Sequence, residues 1–438
     1  MIIESTRVLP VEDAETIVIR RPSLDPEAIG VARSTLNDLE ARGRLALEER
    51  VDAFEERPSS GAMVLDRDDF ARARDRLDPE VRRAIDLASN RIREFAAIQL
   101  DCLRPVDREI KGTGLRSGHD LVPMQTAGCY VPGGRFPLPS SVLMTAIPAA
   151  VAGVDQIRLA GPRPTDATLA AAWFTGAESM LAAGGAHAIG ALAIGLEGPR
   201  CDIVVGPGNR FVTAAKALVA GPDGPGGRPV AIDGLAGPSE LLVLADETAD
   251  PAIIAADLLA QAEHDPEAGV WFATTEIRLR DEVRDRLAAG CEDLPEPNRS
   301  IARTSIERGA AVVVESIEAL IEVADRLAPE HLEILTRDAE SVGRRIRHAG
   351  AVFLGSAAAE VFGDYGCGPN HVLPTGGSAR VGGGLSVLDF IRVRTWISST
   401  GSRPSASIMK ETALLARVEG LEAHARAAEV RAVDIVSS

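Results

Sequence analysis

Apolar and polar positions along the chain change their spacing twice, which divides it into three parts. Residues 25–57 and 78–104 carry apolar side chains at helical spacing, so we predict helical segments there. Before them, residues 1–24 hold a single strand-like run at 17–19, which predicts a short extended arm. Near the end, residues 410–432 return to helical spacing and predict a helical tail.

Between these parts, short β-branched runs alternate with Ala-rich helical runs from about residue 127 onward; one of the predicted helices covers 165–181. This alternation is typical of βαβ units and predicts mostly parallel sheets covered by helices. We therefore predict an α/β protein with two Rossmann-like domains, an N-terminal arm and a helical C-terminal tail. The predicted boundaries are 1–26 for the arm, 27–128 with 240–382 for a discontinuous first α/β domain, 129–239 for the second α/β domain, and 383–438 for the tail.

Composition narrows the possible partners. A net charge of −17 disfavours nucleic acid and anionic membranes, and 3% aromatic residues disfavour base-stacking surfaces. The best apolar run, 141–154, contains Pro148 and is too short to span a bilayer. Five cysteines without a CxxC pair do not indicate a disulfide framework, and acidic residues near the N-terminus do not fit a signal peptide. We expect a cytoplasmic protein.

Candidate chemistry concentrates around the histidines, of which the chain has only seven. Imidazole binds divalent metals and exchanges protons near neutral pH. Four of the seven lie in runs rich in polar or acidic residues, and these four are His264, His331, His371 and His424.

Taken singly, these runs leave alternatives open. Gln261 and His264, three apart, suit two ligands of one metal or the polar end of a helix. Asp364 in a Gly-rich loop is a site carboxylate or a turn residue, and Glu330 with His331 is an acid/base pair or an exposed strand start. Two Gly-rich turns, at 130–134 and 206–209, are ligand-binding turns or ordinary ones. Two tail residues, Glu419 and His424, are site residues or part of a solvated helix face.

Together and in this order, the runs resemble the histidinol dehydrogenase family over nearly the whole chain. The matching motifs are Tyr130-Val-Pro-Gly-Gly134, Pro139-Ser-Ser-Val-Leu-Met144, Val205-Gly-Pro-Gly-Asn209, Leu235-Ala-Gly-Pro-Ser239, Gln261-Ala-Glu-His264, Pro329-Glu330-His331, Gly363-Asp364, Asn370-His371 and Glu419-Gly-Leu-Glu-Ala-His424.

The resemblance implies a four-electron oxidation of L-histidinol to L-histidine through bound histidinal, with two NAD consumed, in histidine biosynthesis. It implies one Zn²⁺ per subunit that anchors the substrate, with His331 as the proton acceptor and Glu330 activating water. The implied zinc ligands are Gln261, His264, Asp364 and His424. The implied substrate contacts are these four ligands with Ser239, His331, His371 and Glu419. The implied NAD contacts are Tyr130, His187 and Asn209.

The chain departs from the family at one of these positions, because residue 187 is His where the family usually carries Gln. The resemblance also implies a homodimer in which the tail at 383–438 serves dimerisation and completes the partner's active site. The alternative is a paralogous zinc- and NAD-dependent dehydrogenase of another primary alcohol, such as a sulfonated diol. A zinc hydrolase and a non-catalytic zinc scaffold are further hypotheses, and the native metal is zinc or manganese.

Overall fold

The computed structural model describes residues 8–10, 25–133, 137–222, 224–399 and 403–432. Most of the predicted arm at 1–26, with its strand-like run at 17–19, lies outside these residues. The strands in chain order are β1 (Val64–Asp66), β2 (Val106–Glu109), β3 (Arg116–Pro123), β4 (Thr126–Tyr130), β5 (Gln156–Ala160), β6 (Ser179–Leu181), β7 (Ile203–Val205), β8 (Ala231–Ile232), β9 (Glu240–Ala245), β10 (Gly269–Thr274), β11 (Ala310–Val313), β12 (His331–Leu335), β13 (Ala351–Leu354) and β14 (Ile391–Ser398).

The helices begin and end at residues that satisfy or interrupt helical hydrogen bonding; Asp25, for example, accepts the amide of Glu27 and Pro26 follows it. They are α1 (Pro26–Arg42), α2 (Arg44–Ala53), α3 (Arg67–Arg76), α4 (Pro79–Asp101), α5 (Pro139–Ala152), α6 (Asp166–Thr175), α7 (Gly185–Ile194), α8 (Arg210–Ala220), α9 (Pro251–Ala262), α10 (Ile277–Asp293), α11 (Asn298–Arg308), α12 (Ile317–Leu327), α13 (Ala339–Gly343), α14 (Glu360–Tyr365), α15 (Ala406–Val418) and α16 (Glu422–Glu429).

The chain forms two compact units, which divide it at other places than the predicted domain boundaries. The first unit comprises Met1–Ile98 and Met124–Phe390, and the second comprises Gln99–Pro123 and Ile391–Ser438. Both predicted α/β domains therefore fall largely within the first unit.

A six-stranded sheet forms one half of the first unit, with strand order β1-β6-β5-β4-β7-β8. All its neighbours are parallel except β1, which pairs antiparallel with β6. From β4 the chain proceeds to one side through β5 and β6, then returns to the other side as β7. The sheet thus reverses direction between β4 and β7, and the carboxyl ends of strands at such a point are where α/β proteins bind ligands.

A five-stranded, fully parallel sheet forms the other half, with order β11-β10-β9-β12-β13. Its central strands are apolar on both faces because helices cover both of them. Helices α9, α10 and α11 bury one face together with Val8 and Leu9, and α12 buries the other. The predicted α/β class with mostly parallel sheets is confirmed.

The second unit contains an antiparallel three-stranded sheet, β14-β3-β2, and the helices α15 and α16. The two helices share a small core of Ala413, Ala416 and Ala425. Several large apolar side chains of α15 point into solvent, among them Leu414, Leu415 and Val418. The predicted tail is therefore helical, but a strand, β14, precedes its helices.

One local prediction was wrong. The helix predicted at 165–181 ends at Thr175, because Gly176 adopts the left-handed conformation and the short strand β6 follows. The segment 27–66 was predicted to belong with 240–382; in the structure, β1 pairs with β6 and α1 shares a core with α7 and α8. Within the described residues, no helix has both the length and the apolar character needed to cross a membrane.

Candidate active site

Glu330 and His331 lie where the chain enters β12, at the amino edge of the five-stranded sheet. Both are buried, with 6% and 4% of their surface exposed, so this is no solvated strand start. The neighbouring strand β9 begins at Glu240, directly after Ser239, and β9 pairs with β12 in parallel register. This pairing places Ser239 and Glu240 beside Glu330 and His331.

The carboxylate of Glu330 accepts two hydrogen bonds at one oxygen. The hydroxyl of Ser239 donates to Oε2 at 2.7 Å, and the backbone amide of Glu240 donates to the same atom at 2.9 Å. Burial nevertheless raises the pKa of Glu330 to about 8, because desolvation of the carboxylate outweighs both hydrogen bonds. A carboxyl group with such a pKa can take up or release a proton near neutral pH.

The imidazole of His331 is oriented by the backbone. Its Nδ1 lies 3.1 Å from the carbonyl oxygen of Glu240, and since a carbonyl oxygen can only accept, Nδ1 carries the hydrogen. The neutral ring then offers a lone pair at Nε2. Burial lowers the pKa of His331 to about 4, which keeps the ring neutral at pH 7. His331 can therefore accept a proton at Nε2.

Two of the predicted metal ligands of the first unit, His264 and Asp364, lie near His331. Gln261 ends α9 and His264 lies in the turn after it, whereas Asp364 lies within the short helix α14 and not in the loop that was predicted. The charges of Asp364, His264 and His371 all act on the pKa of His331, which indicates that the four side chains are neighbours. Nδ1 of His371 lies 3.1 Å from the carbonyl oxygen of Asp364.

Gln261 is the strongest sign that this group binds something. Its side chain is buried, and neither Oε1 nor Nε2 has a hydrogen-bond partner within the described residues. An unpartnered buried polar group costs about 1–3 kcal/mol, which a ligand bond to Oε1 offsets. An amide oxygen, an imidazole and a carboxylate form a donor set that suits a divalent cation, so the residues fit a metal ion.

Glu360 was not among the predicted residues, although its Oε1 lies 3.3 Å from Nδ1 of His331. Three ligand atoms lie within 4.8 Å of one another, one each from His331, Glu360 and Asp364. This spacing would allow them to hold a cation. Burial raises the pKa of Glu360 well above its usual range. The sequence did carry a signal for Glu360, because it is an acidic residue directly ahead of apolar residues. Glu240 carries the same signal, since five apolar residues follow it.

The predicted residues of the tail, Glu419 and His424, belong to the second unit. Glu419 directly follows α15, and His424 lies in α16. Both side chains are exposed in a single chain.

The predicted cofactor residues lie in the six-stranded sheet and the segments that follow its strands. Tyr130 ends β4, and its hydroxyl accepts the amide of Gly185 at 3.2 Å. Asn209 caps α8, accepting the amides of Phe211 and Val212. His187 lies in the first turn of α7, where its Nε2 is 2.7 Å from Oε2 of Glu56.

The loop from β7 to α8 passes very close to β4. A Cβ atom added at Gly206 would collide with the carbonyl oxygen of Tyr130, and Gly206 has a φ of +114°, which favours glycine. A buried ion pair of Lys216 with Asp233 holds both sides of this glycine: Asp233 accepts its amide, and Lys216 donates to its carbonyl oxygen. Close backbone approach at the point where the sheet reverses direction fits a dinucleotide.

The fold and the site together are those of an α/β enzyme. Its acid/base pair lies beside side chains that suit a bound cation. The family model described as histidinol dehydrogenase matches residues 20–432 of the chain. This protein belongs to the histidinol dehydrogenase family and is an oxidoreductase.

Individual relatives agree with this membership. The chain is 42% identical to the histidinol dehydrogenase of Aquifex aeolicus, over 82% of this chain and 81% of that protein. It is 40% identical to the histidinol dehydrogenase of Thermus thermophilus, over 93% and 96%. The crystal structure of histidinol dehydrogenase from Elizabethkingia anophelis matches with a TM-score of 0.87 at 33% identity and covers 96% of both chains.

Proposed function

We propose that the protein oxidises L-histidinol to L-histidine, through histidinal that stays bound, as a step of histidine biosynthesis in a reducing cytoplasm. The observation that carries the proposal is the buried pair of Glu330 and His331 beside Gln261, His264 and Asp364. The overall reaction converts the alcohol, one water and two NAD⁺ into the carboxylate, two NADH and three protons.

His331 takes up protons in the proposed reaction. Because the carbonyl of Glu240 holds the hydrogen on Nδ1, the lone pair at Nε2 is available for the alcohol proton in the first oxidation. NAD held by the cofactor residues would supply the acceptor for the hydride. His331 releases the alcohol proton to water before the second oxidation, in which Nε2 accepts the proton of a hydroxyl of the hydrated aldehyde.

Glu330 acts between the two oxidations. Its Oε2 is held by Ser239 and by the amide of Glu240, so the carboxylate keeps one orientation. In the ionised state it takes a proton from the water that attacks the aldehyde. Ser239 and His371 border this pair, and we place the substrate between them.

The metal set we propose is Gln261, His264, Asp364 and His424, with one Zn²⁺ per subunit. A metal held by these residues would anchor the substrate rather than supply the nucleophile. Tyr130, His187 and Asn209 form the NAD side at the carboxyl edge of the six-stranded sheet.

We further propose a homodimer in which the tail of one subunit supplies His424 and Glu419 to the other subunit's site. Leu414, Leu415 and Val418 are 62%, 64% and 78% exposed in the single chain, a cluster that indicates a protein contact. Mixing His424→Ala with His331→Ala subunits tests this. Regained activity in mixed dimers supports shared sites, and mixed dimers as inactive as either parent contradict them.

One assay tests the reaction itself. NADH formation is followed with limiting L-histidinol, with and without a chelator, and with a sulfonated diol in parallel. Two NADH per histidinol, lost on chelation, support the proposal; no NADH from histidinol overturns it. NADH from the diol alone would select the paralogous activity, which the relatives named above do not favour.

A further inference from the structure

His187 forms a buried pair with a residue far away in sequence. Nε2 of His187 lies 2.7 Å from Oε2 of Glu56, in the segment after α2, and the two side chains are only 6% and 8% exposed. The ring of His187 also stacks on Phe54, with 5.7 Å between ring centroids and 9° between planes. Both contacts restrict the imidazole to one orientation.

The same carboxylate holds the turn that opens α7. The amide of Gly184 donates to Oε2 of Glu56 at 3.0 Å, and the next amide, that of Gly185, donates to the hydroxyl of Tyr130. A Cβ atom at Gly184 would lie 2.7 Å from Oε1 of Glu56, so carboxylate and turn are in close contact. The Gly184–Gly185 turn is thus fixed from two sides, by Glu56 and by Tyr130.

This arrangement limits what His187 can offer to a ligand. The carboxylate of Glu56 can only accept, so Nε2 donates its hydrogen to it. In a neutral ring, Nδ1 then has a lone pair and no hydrogen to donate. Glu56 also depends on its partner, because a buried carboxylate without a partner is costly.

We infer that Glu56 and His187 are a positioning pair for the cofactor: they hold the Gly184–Gly185 turn against Tyr130, and His187 acts on the cofactor through that turn. The inference rests on the proposed function, in which NAD binds this edge of the sheet. It changes the role of His187 from a cofactor contact to a residue that holds other contacts in place.

Four variants separate the two roles. His187→Leu removes the donor and leaves Glu56 unpaired, whereas His187→Gln retains a donor of similar reach. Glu56→Gln retains an acceptor oxygen for both the Gly184 amide and His187. The double variant Glu56→Ala/His187→Ala leaves no unpaired buried charge and serves if His187→Leu does not fold.

The measurements are NADH binding by fluorescence titration and steady-state kinetics with both substrates varied. We expect His187→Leu and the double variant to weaken NADH binding about tenfold, within the range for an unsatisfied buried group, and to raise the KM for NAD similarly. The loss falls on the NADH affinity and on the KM for NAD more than on the kcat at saturating NAD. His187→Gln and Glu56→Gln stay within about threefold of the wild type in NADH affinity.

Two results would overturn this inference but not the proposed function. In the first, His187→Gln loses as much NADH affinity as His187→Leu, which marks a direct contact between the imidazole and the cofactor. In the second, none of the variants changes the NADH affinity. A loss of kcat at saturating NAD with an unchanged KM for NAD, in both His187→Leu and the double variant, also overturns it, because that marks a general structural role. A wild-type protein that neither binds nor forms NADH overturns the proposed function as well, so the two failures are distinguishable.

Discussion

The variant Ser239→Ala tests how the hydroxyl of Ser239 affects the pKa of Glu330. The substitution removes the donor at 2.7 Å from Oε2 and leaves the Glu240 amide at 2.9 Å. A hydrogen bond to a charged group contributes about 1.5–3 kcal/mol, and about 1.4 kcal/mol corresponds to one pKa unit. Because burial already raises the pKa of Glu330 to about 8, we expect the variant to raise it further, by about 1–2.

The direction in which the pH profile shifts follows from the role of Glu330 as a base. Glu330 accepts a proton only when ionised, so a higher pKa lowers its active fraction at every pH below that value. The acidic limb of kcat/KM against pH therefore moves to higher pH by about 1–2, and activity at pH 7 falls about 10- to 100-fold. A bound cation would lower the starting pKa in wild type and variant alike, so the displacement of the limb between the two proteins, and not the activity at one pH, is the quantity that decides.

The assay is NADH formation from L-histidinol at saturating NAD, between about pH 6 and pH 10, a range that brackets the raised pKa of Glu330 and the further rise expected in the variant. Ser239→Thr, which retains the hydroxyl, is the matched control and is expected to keep the wild-type limb. A uniformly lower kcat/KM with an unmoved limb would show that Ser239 contacts only substrate, and a limb moved to lower pH would refute the reasoning outright.

Three further predictions concern the metal, the cofactor loop and the tail. Gln261→Ala weakens metal binding about 10- to 100-fold in a chelator competition while NADH affinity is retained; an unchanged metal affinity would show that Gln261 is no ligand. Lys216→Met leaves Asp233 buried without its cation and destabilises the fold by about 3–5 kcal/mol, read as a lower thermal midpoint. Adding Asp233→Asn to Lys216→Met restores part of this loss, and additive losses would exclude coupling. Val418→Asp, at a side chain 78% exposed in the single chain, yields monomers in light scattering with an unchanged circular dichroism spectrum; persisting dimers would argue against this contact.

Sequence patterns predicted those elements whose signal is long or continuous. The strands β9 and β10 are nearly uninterrupted apolar runs, and α9 begins with the Asp250-Pro251 capping signal. The strands β1 and β6 have three residues each, too few for a period to be measured, and their pairing joins parts of the chain more than 110 residues apart. That pairing adds 64–66 to the six-stranded sheet, and no local pattern in either strand predicts it.

The candidate site was predictable only in part, for a related reason. Family motifs pointed to Glu330, His331 and the ligand-type residues by their types and order. The parts played by Glu240 and Glu360 depend on strand register and on the short helix α14, which place their carbonyl and carboxylate oxygens near Nδ1 of His331. The Glu56–His187 pair joins residues 131 apart, and local sequence carries no signal for it.

The proton-transfer pair begins a strand of one sheet, while the cofactor residues follow strands of the other. In the proposed reaction, one NADH must leave and a second NAD must arrive while a reactive aldehyde is present. Because separate sheets carry the two sets of residues, the cofactor exchanges without displacing the groups that hold the intermediate. In the proposed reaction, the separation of the two sets of residues on two sheets thus favours retention of the aldehyde over its release. A trapping reagent in the medium, such as a hydrazine, would therefore capture little aldehyde during turnover.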